Sequence, residues 1–335
     1  MTSPASKSWS VSRASVRTWL LQLSILAVIA LLLVAIGNTT LENLDRLGVQ
    51  SGFDFLQKRA GFDINQTLFA YSADSPVYMA FVMAICNTVL LAFLSISLAT
   101  AVGLIVALFR LSGDWFFNTL GQAFIEIFRN IPALLQIFFW YFVVLRALPS
   151  SGQSWQLGHA IFINNRGMFL PSIEWSASAI HWQFPQLQKF GYVADWVITP
   201  ELGALILGLA LYNASSVAEV IRAGFVAVPK GQWEAARSLG LAPFAILRHV
   251  IVPQAMRIII PPMTTCYLNI FKATSLGAAI GYPEIVSVMV GTTNNIVGRP
   301  VEIMVLTFSV YSVVSLAGIW LMSRLNRRYN RFTLV

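Results

Sequence analysis

The residues able to do covalent chemistry are few and poorly placed for it. Three histidines, His159, His181 and His249, stand far apart, with no spacing that would bring two onto one metal ion or one beside a nucleophile. The two cysteines, Cys86 and Cys266, each lie inside an apolar stretch and read as small hydrophobes, not as a disulfide or a metal pair. No G-x-x-x-x-G-K-[ST] loop is present to cradle nucleotide phosphates. The sequence offers no catalytic residue, no metal site and no cofactor bound by the chain itself. It does offer one densely patterned stretch, residues 222–257, and a scatter of polar side chains within apolar runs. The latter are Asn87, Asn213, Ser216, Asn269, Lys272, Thr274 and Ser275.

Those side chains matter because of what surrounds them. Hydrophobic residues make up 57% of the 335, and charged residues only 11%, against roughly 25% in soluble domains. Too few charges remain to coat soluble domains of this length, so the composition describes an all-α polytopic membrane protein. Disorder, a collagen-like chain and a disulfide-stapled scaffold are excluded by the same figures. In such a protein a buried polar group is costly and often marks a transport route. The seven polar residues are therefore candidates for a substrate path. Lys272 could attract a carboxylate, or snorkel outward from the end of its span. Ser216, Thr274 and Ser275 could each do no more than bond a carbonyl one turn back. Glu126 and Arg129 read as interfacial anchors.

A bilayer core takes about 20 apolar residues of helix, and about six transmembrane helices fit. The first, 18–37, follows a short N-terminal segment, 1–17. It exceeds the usual core of a signal peptide and has no A-x-A site behind it, so it reads as a retained span. Others are expected near 80–109, 131–148, 202–220, from 258 to about Lys272, and 303–323. Lys and Arg are biased: 14 of the 22 fall on the side holding both termini, the 110–130 turn and the 222–257 loop. The positive-inside rule then places both termini in the cytoplasm. The net charge of +8 reflects this orientation, and nucleic acid is not needed to explain it. Two external segments are long, 38–79 and 149–200. The second carries Trp155, Trp175, Trp182 and Trp196. These suit either contact with membrane lipid at the outer leaflet or the docking of an external partner.

The stretch 222–257 reads as two short helices outside the bilayer. Gln232 to Leu239 are good helix formers, preceded by Pro229 and Gly231 and followed by Gly240, which suits a positive-φ stop. Pro243 suits the first turn of a second helix, AILRHVIV, which Pro253 is expected to close. Trp233, Leu239, Leu241 and Phe244 would then stand exposed unless a partner covers them. Glu234 and Arg237, three residues apart, could also be no more than a local surface pair.

The run EAARSLGLAPFAILRHVIVP, with Glu234-Ala235-Ala236, Gly240 and Pro253 in order, resembles the EAA loop of bacterial ABC importer permeases. AEVIRAGFVAVPKGQWEAARSLG, NIFKATSLGAAIG and IFRNIPALLQIFFWYF look like the polar amino acid branch (histidine, glutamate and general L-amino acids), over residues 83–330. The resemblance implies a type I ABC importer (MetI-like) permease core at 80–330, with 149–200 as an external insertion and 222–257 as the cytoplasmic coupling loop. Glu234, Ala235, Ala236, Arg237, Gly240 and Pro253 would then couple to a cytoplasmic ABC ATPase dimer, which alone uses ATP and Mg. It further implies a second permease, joined as a heterodimer in this branch, an extracytoplasmic amino-acid-binding protein, and a place in the bacterial cytoplasmic (inner) membrane. The sequence departs from the family at Pro243, at Val250 and Val252, and at Ala273, where an Asp or Asn is usual. The alternatives are an ATP-independent secondary transporter or channel and a non-transporting assembly subunit. Neither has a reason to carry this loop.

Overall fold

The computed structural model describes residues 13–46, 52–158, 160–176, 179–188 and 191–330. His159 and Lys189 lie outside them. The chain divides into two compact units, at Gly52. The first holds one helix, α1 (Arg13–Arg46). Within this unit its described apolar side chains, among them Trp19, Leu26 and Ile36, are exposed. Residues 17–40 are long and apolar enough to cross a bilayer.

The second unit opens with a short 3-10 turn at Asp54–Gln57 and then α2 (Val77–Leu111). Next comes a pair that sequence reading treated as a turn and a span. Residues 115–130 form an amphipathic helix, α3 (Trp115–Asn130), started by Asp114, whose carboxylate accepts from the N–H groups of Phe116 and Phe117. The chain then bends by 99° into α4 (Ala133–Phe138), which continues in π register to Leu145. Pro132 cannot continue α3. The carbonyls freed by the break, those of Phe128 and Ile131, both accept from the buried Gln136 amide, each at 2.9 Å.

Apart from a 3-10 turn at Ser151–Gln153, the insertion is organised over its described residues as strands. It holds eight short strands: β1 (Trp155–Leu157), β2 (Ile161–Asn164), β3 (Gly167–Leu170), β4 (Ser172–Ser176), β5 (Ala179–Gln183), β6 (Gln186–Gln188), β7 (Gly191–Val193) and β8 (Trp196–Ile198). They form an antiparallel sheet in the order β1-β2-β3-β8 and two separate hairpins, β4-β5 and β6-β7. Burial alternates along β2 and β3, burying Phe162, Asn164, Gly167 and Phe169. β8 leads into α5 (Pro200–Val226), whose N-cap Thr199 accepts from the Leu202 N–H, with Pro200 in the first turn.

α5 is the centre of the unit. It buries Leu205, Leu209, Ala210, Asn213, Ala214, Val217 and Ala218, and packs against α2 along most of its length. Without a hydrophobic force between helices in lipid, such packing depends on close backbone approach. Gly103 of α2 provides it: a Cβ there would stand 2.5 Å from Val217 Cγ1.

Beyond α5, three residues lead to α6 (Lys230–Ser238), then α7 (Pro243–Ile246), a π turn over Leu247–Ile251, and α8 (Val252–Ala273). The expected stop at Pro253 does not occur. Residues 243–280 form one continuous apolar helical run. The π register, in which the Val252 N–H reaches back to the Leu247 carbonyl, alters the helix where the proline ring would otherwise meet a carbonyl. Pro253 therefore stands in the first turn of α8. Residues 274–299, between the spans expected from 258 and at 303–323, are mostly helical: a 3-10 segment to Ile280, a π segment at Val286–Thr293 and α9 (Asn294–Val297). α10 (Pro300–Asn330) closes the described chain. Among the described residues five helices qualify as spans, or six when the bent pair counts as one.

Gly103→Ala is expected to cost ~1–3 kcal/mol by forcing α2 off α5. This should appear as a lower melting temperature in detergent, partly recovered by Val217→Ala. An unchanged melting temperature in Gly103→Ala would contradict this packing.

Candidate functional site

The 222–257 stretch is built around one buried alanine. Ala236 of α6 packs with Val228, Ile246, Ile251 and Ala255, and Trp233 lies half-buried against the same cluster. A larger side chain at 236 would push α6 away from α7 and α8. Gln254 Nε2 donates to Gln232 Oε1 at 3.1 Å and adds a polar tie between α6 and α8.

The turn after α6 is set by Gly240, at φ +74°. The Leu241 N–H bonds the Ala236 carbonyl (3.3 Å) and the Gly240 N–H bonds that of Arg237 (2.9 Å). This is the paired-bond helix stop that needs a left-handed residue. Its consequence is exposure. Leu239 is 80% exposed and Phe244 70%, while Glu234, Ala235 and Arg237 face solvent on α6. Among the described residues no ion pair joins Glu234 to Arg237, so the local-pair reading has no support in the geometry. Two large apolar side chains beside an acid and small alanines form a surface that asks for a protein partner.

The seven polar residues of the apolar runs do not converge on one pocket. Asn87 is fully buried and ties the outer ends together: its Nδ2 donates to the carbonyls of Gln66 and Pro283, both at 3.0 Å. Asn213 and Thr274 are buried and bond carbonyls of their own helical turns. Ser275 bonds the Lys272 carbonyl, and Ser216 is half-buried on α5. Asn269 and Lys272 differ. With Ile258, Pro262 and Thr265 they recur every three or four residues along α8, and all five are exposed. This spacing puts them on one face of the helix, apolar at Ile258 and Pro262 and polar from Thr265 to Lys272. Cys266 is buried in the core and Cys86 half-buried.

Two acidic residues escaped sequence reading. Glu284 is fully buried and caps the Val286–Thr293 segment, accepting from the N–H groups of Val286 (2.9 Å) and Ser287 (2.7 Å), with the Tyr311 hydroxyl donating at 3.3 Å. Its signal was an acid just ahead of a new helical segment. Glu219 of α5 is bonded by Arg222 at 2.9 Å. Its signal was an acid and a base three apart in an otherwise apolar run. At the outer end, Asp54 is held below the usual carboxylate range, chiefly by its hydrogen bond from Lys58 and also by Arg299.

A bundle of apolar helices around α5, with a paired-helix projection that leaves its apolar tip uncovered, defines a membrane transport subunit that works with partners. The chain belongs to the family described as the binding-protein-dependent transport system inner membrane component, whose model matches residues 99–331; it is the permease subunit of an ABC importer. It is 40% identical to the putative amino-acid ABC transporter permease protein YhdX of Escherichia coli K12, over 96% of both chains. It is 36% identical to the general L-amino acid transport system permease protein AapQ of Rhizobium johnstonii, over 84% of both. Among solved structures, an amino acid ABC transporter with histidines matches at a TM-score of 0.54 and 24% identity, over 75% of this chain and 94% of that one. The MetNI methionine ABC transporter, inward facing, matches at 0.51 and 18%, over 75% and 96%. These two likenesses show the MetI-like fold.

Burial pushes the Glu284 carboxyl up to about 7, against the pull of its two N–H partners and Tyr311. A carboxyl whose pKa rises on folding adds stability that is full below its unfolded value, near 4.5, and is lost as pH climbs through 7. The purified protein is expected to melt at lower temperature at pH 8 than at pH 5.5, with this group supplying at most ~3 kcal/mol of the difference. Glu284→Gln should flatten that slope. An equal slope in the variant would show that other groups cause it.

Proposed function

We propose that this permease moves polar amino acids inward across the cell's cytoplasmic membrane by alternating access, driven by ATP hydrolysis in a separate cytoplasmic ATPase dimer. The chain itself is not an enzyme and binds no cofactor. The observation that carries this reading is the uncovered tip of the α6–α7 pair. Leu239 and Phe244 stand out at 80% and 70% exposure beside Glu234, on a fold whose family works with a binding protein. The tip would seat in a cleft on the ATPase, with Glu234 towards a basic partner. The small Ala235 would allow close approach, and Ala236, Gly240 and Pro253 would hold the two helices in shape. Arg237 is exposed on the same helix.

The amino acid substrate is supported by the relatives, whose names record amino-acid transport. Both termini would then lie in the cytoplasm, in keeping with the bias of basic residues. The exposed face of α8 supports a second permease subunit, which we read as a sister chain in a heterodimer. Thr265, Asn269 and Lys272 face outward there, and polar side chains do not face lipid when water or protein is available. The path would run between this face and its counterpart, while an amino-acid-binding protein delivers substrate from outside. Asn269 and Lys272 would line it. Asn87, Asn213, Ser216, Thr274 and Ser275 would hold its walls.

Two experiments test this. The chain, purified from its native membrane, should carry a nucleotide-binding subunit with it. Glu234→Arg should remain in the membrane yet lose at least about tenfold in ATP-dependent amino acid uptake. ATP-independent uptake by the isolated chain in liposomes would overturn the reading. Second, a cysteine at Asn269 should react with a water-soluble thiol reagent in the assembled complex. One at Phe308, an exposed apolar residue of α10, should not. Equal labelling at the two would remove Asn269 from the path.

A further inference from the structure

The inner ends of α2, α3 and α5 meet in a cluster of charged groups that the coupling surface does not include. Arg110, at the last turn of α2, is held by α3. One guanidinium nitrogen, Nη1, donates to Asn118 Oδ1 and also reaches Gln122 Oε1 at 3.4 Å, and Asn118 Nδ2 donates back to the Arg110 carbonyl at 3.3 Å. The Nε of the same side chain is buried and has no hydrogen-bond partner. It lies 4.0 Å from Glu219 Oε1 on α5. Glu219 is engaged with Arg222 one turn further along its own helix: Arg222 Nε lies 3.3 Å from each carboxylate oxygen, and Nη2 lies 2.9 Å from Oε2.

A buried donor 4.0 Å from a carboxylate, short of bonding distance, is an unfinished contact. Leaving such a donor unmade is costly, and a hydrogen bond needs an approach of only about 1 Å more. The two groups belong to different parts of the molecule. Arg110 moves with α2 and α3. Glu219 sits seven residues before the end of α5, and only Ala227–Pro229 separate α5 from α6. α2 and α5 are pinned together further into the bundle by Gly103 against Val217. A displacement of α6 would therefore tilt the end of α5 beyond that contact and change the Arg110–Glu219 distance.

We infer that Arg110 and Glu219 form a bond that closes in one state of the transport cycle and opens in the other, with Glu219 shared between Arg110 and Arg222, and that this pair carries displacement of α6 to α2 and α3. Both are positioning residues. The inference rests on the docking role given to α6 above.

The test uses the complete transporter in liposomes, with uptake and ATP hydrolysis measured together. The wild-type complex must show ATP-driven uptake; if it does not, the proposed function fails, separately from this inference. Given that baseline, Glu219→Gln and Arg110→Gln should each lower uptake at least about tenfold while hydrolysis changes less than about twofold. The double variant should be no worse than either single one, because both remove the same contact. Glu219→Asp, one methylene shorter, keeps the charge and also moves the carboxylate from Arg110; it should show the same split if the amide variants fail to assemble. Arg222→Gln, which leaves Arg110 and Glu219 in place, should retain uptake within about threefold. Losses that multiply in the double variant, uptake and hydrolysis that fall together, or wild-type uptake in Glu219→Asp would each overturn the inference.

Discussion

The close approach of α2 to α5 is the contact on which the rest of the molecule depends. Lipid gives two helices no hydrophobic reason to associate, so they hold together only where small side chains let backbones meet. Gly103 against Val217 is such a place, and it fixes α5 as the buried axis. From that axis everything else takes its position. The outer end of α5 begins at Thr199, directly after the insertion sheet, and its inner end leads into α6 after three residues. A single helix thus runs from the insertion sheet to the α6–α7 projection.

The α6–α7 projection follows from this by short-range chemistry. Ala236 anchors α6 to the cluster of Ile246 and Ile251, and the left-handed Gly240 turns the chain sharply enough to leave Leu239 and Phe244 outside. The projection is rigid because the run from 243 to 280 is continuous. A push on it reaches α8 through helix backbone and α5 through the Ala227–Pro229 connection. The outer end is braced separately, by Asn87, Glu284 and the Asp54–Arg299 ion pair at 2.6 Å. A permease that opens at alternate ends needs two such independently held ends.

Much of this was legible in the residues. The spans announced themselves as uncharged runs, and the α6 helix with its stop at Gly240 followed from local helix formers and one glycine. What stayed hidden was of two kinds. Some features depend on backbone accommodation: Pro253 reads as a stop, but a π turn just before it lets the helix continue. Residues 115–130 read as a turn because Glu126 and Arg129 interrupt the apolar run, although the same charges mark the polar side of an amphipathic helix. Others depend on contacts made across a break in the helix or between separate elements. Nothing local in Gln136 shows that it bonds Phe128 and Ile131, and nothing in Arg110 points to Glu219, more than 100 residues away. The strands inside the insertion stayed hidden for a third reason: strands of three to five residues carry too little alternation to be told from loop.

The central claim, that the α6–α7 tip docks on an ATPase, is tested most directly by solvent access at Leu239. A cysteine placed there, in a chain whose own Cys86 and Cys266 are replaced by alanine, can be titrated with a membrane-impermeant maleimide on inside-out vesicles. Docking requires that labelling be slow in the assembled complex and become fast once the ATPase is stripped away. Equal labelling rates with and without the ATPase would contradict the account.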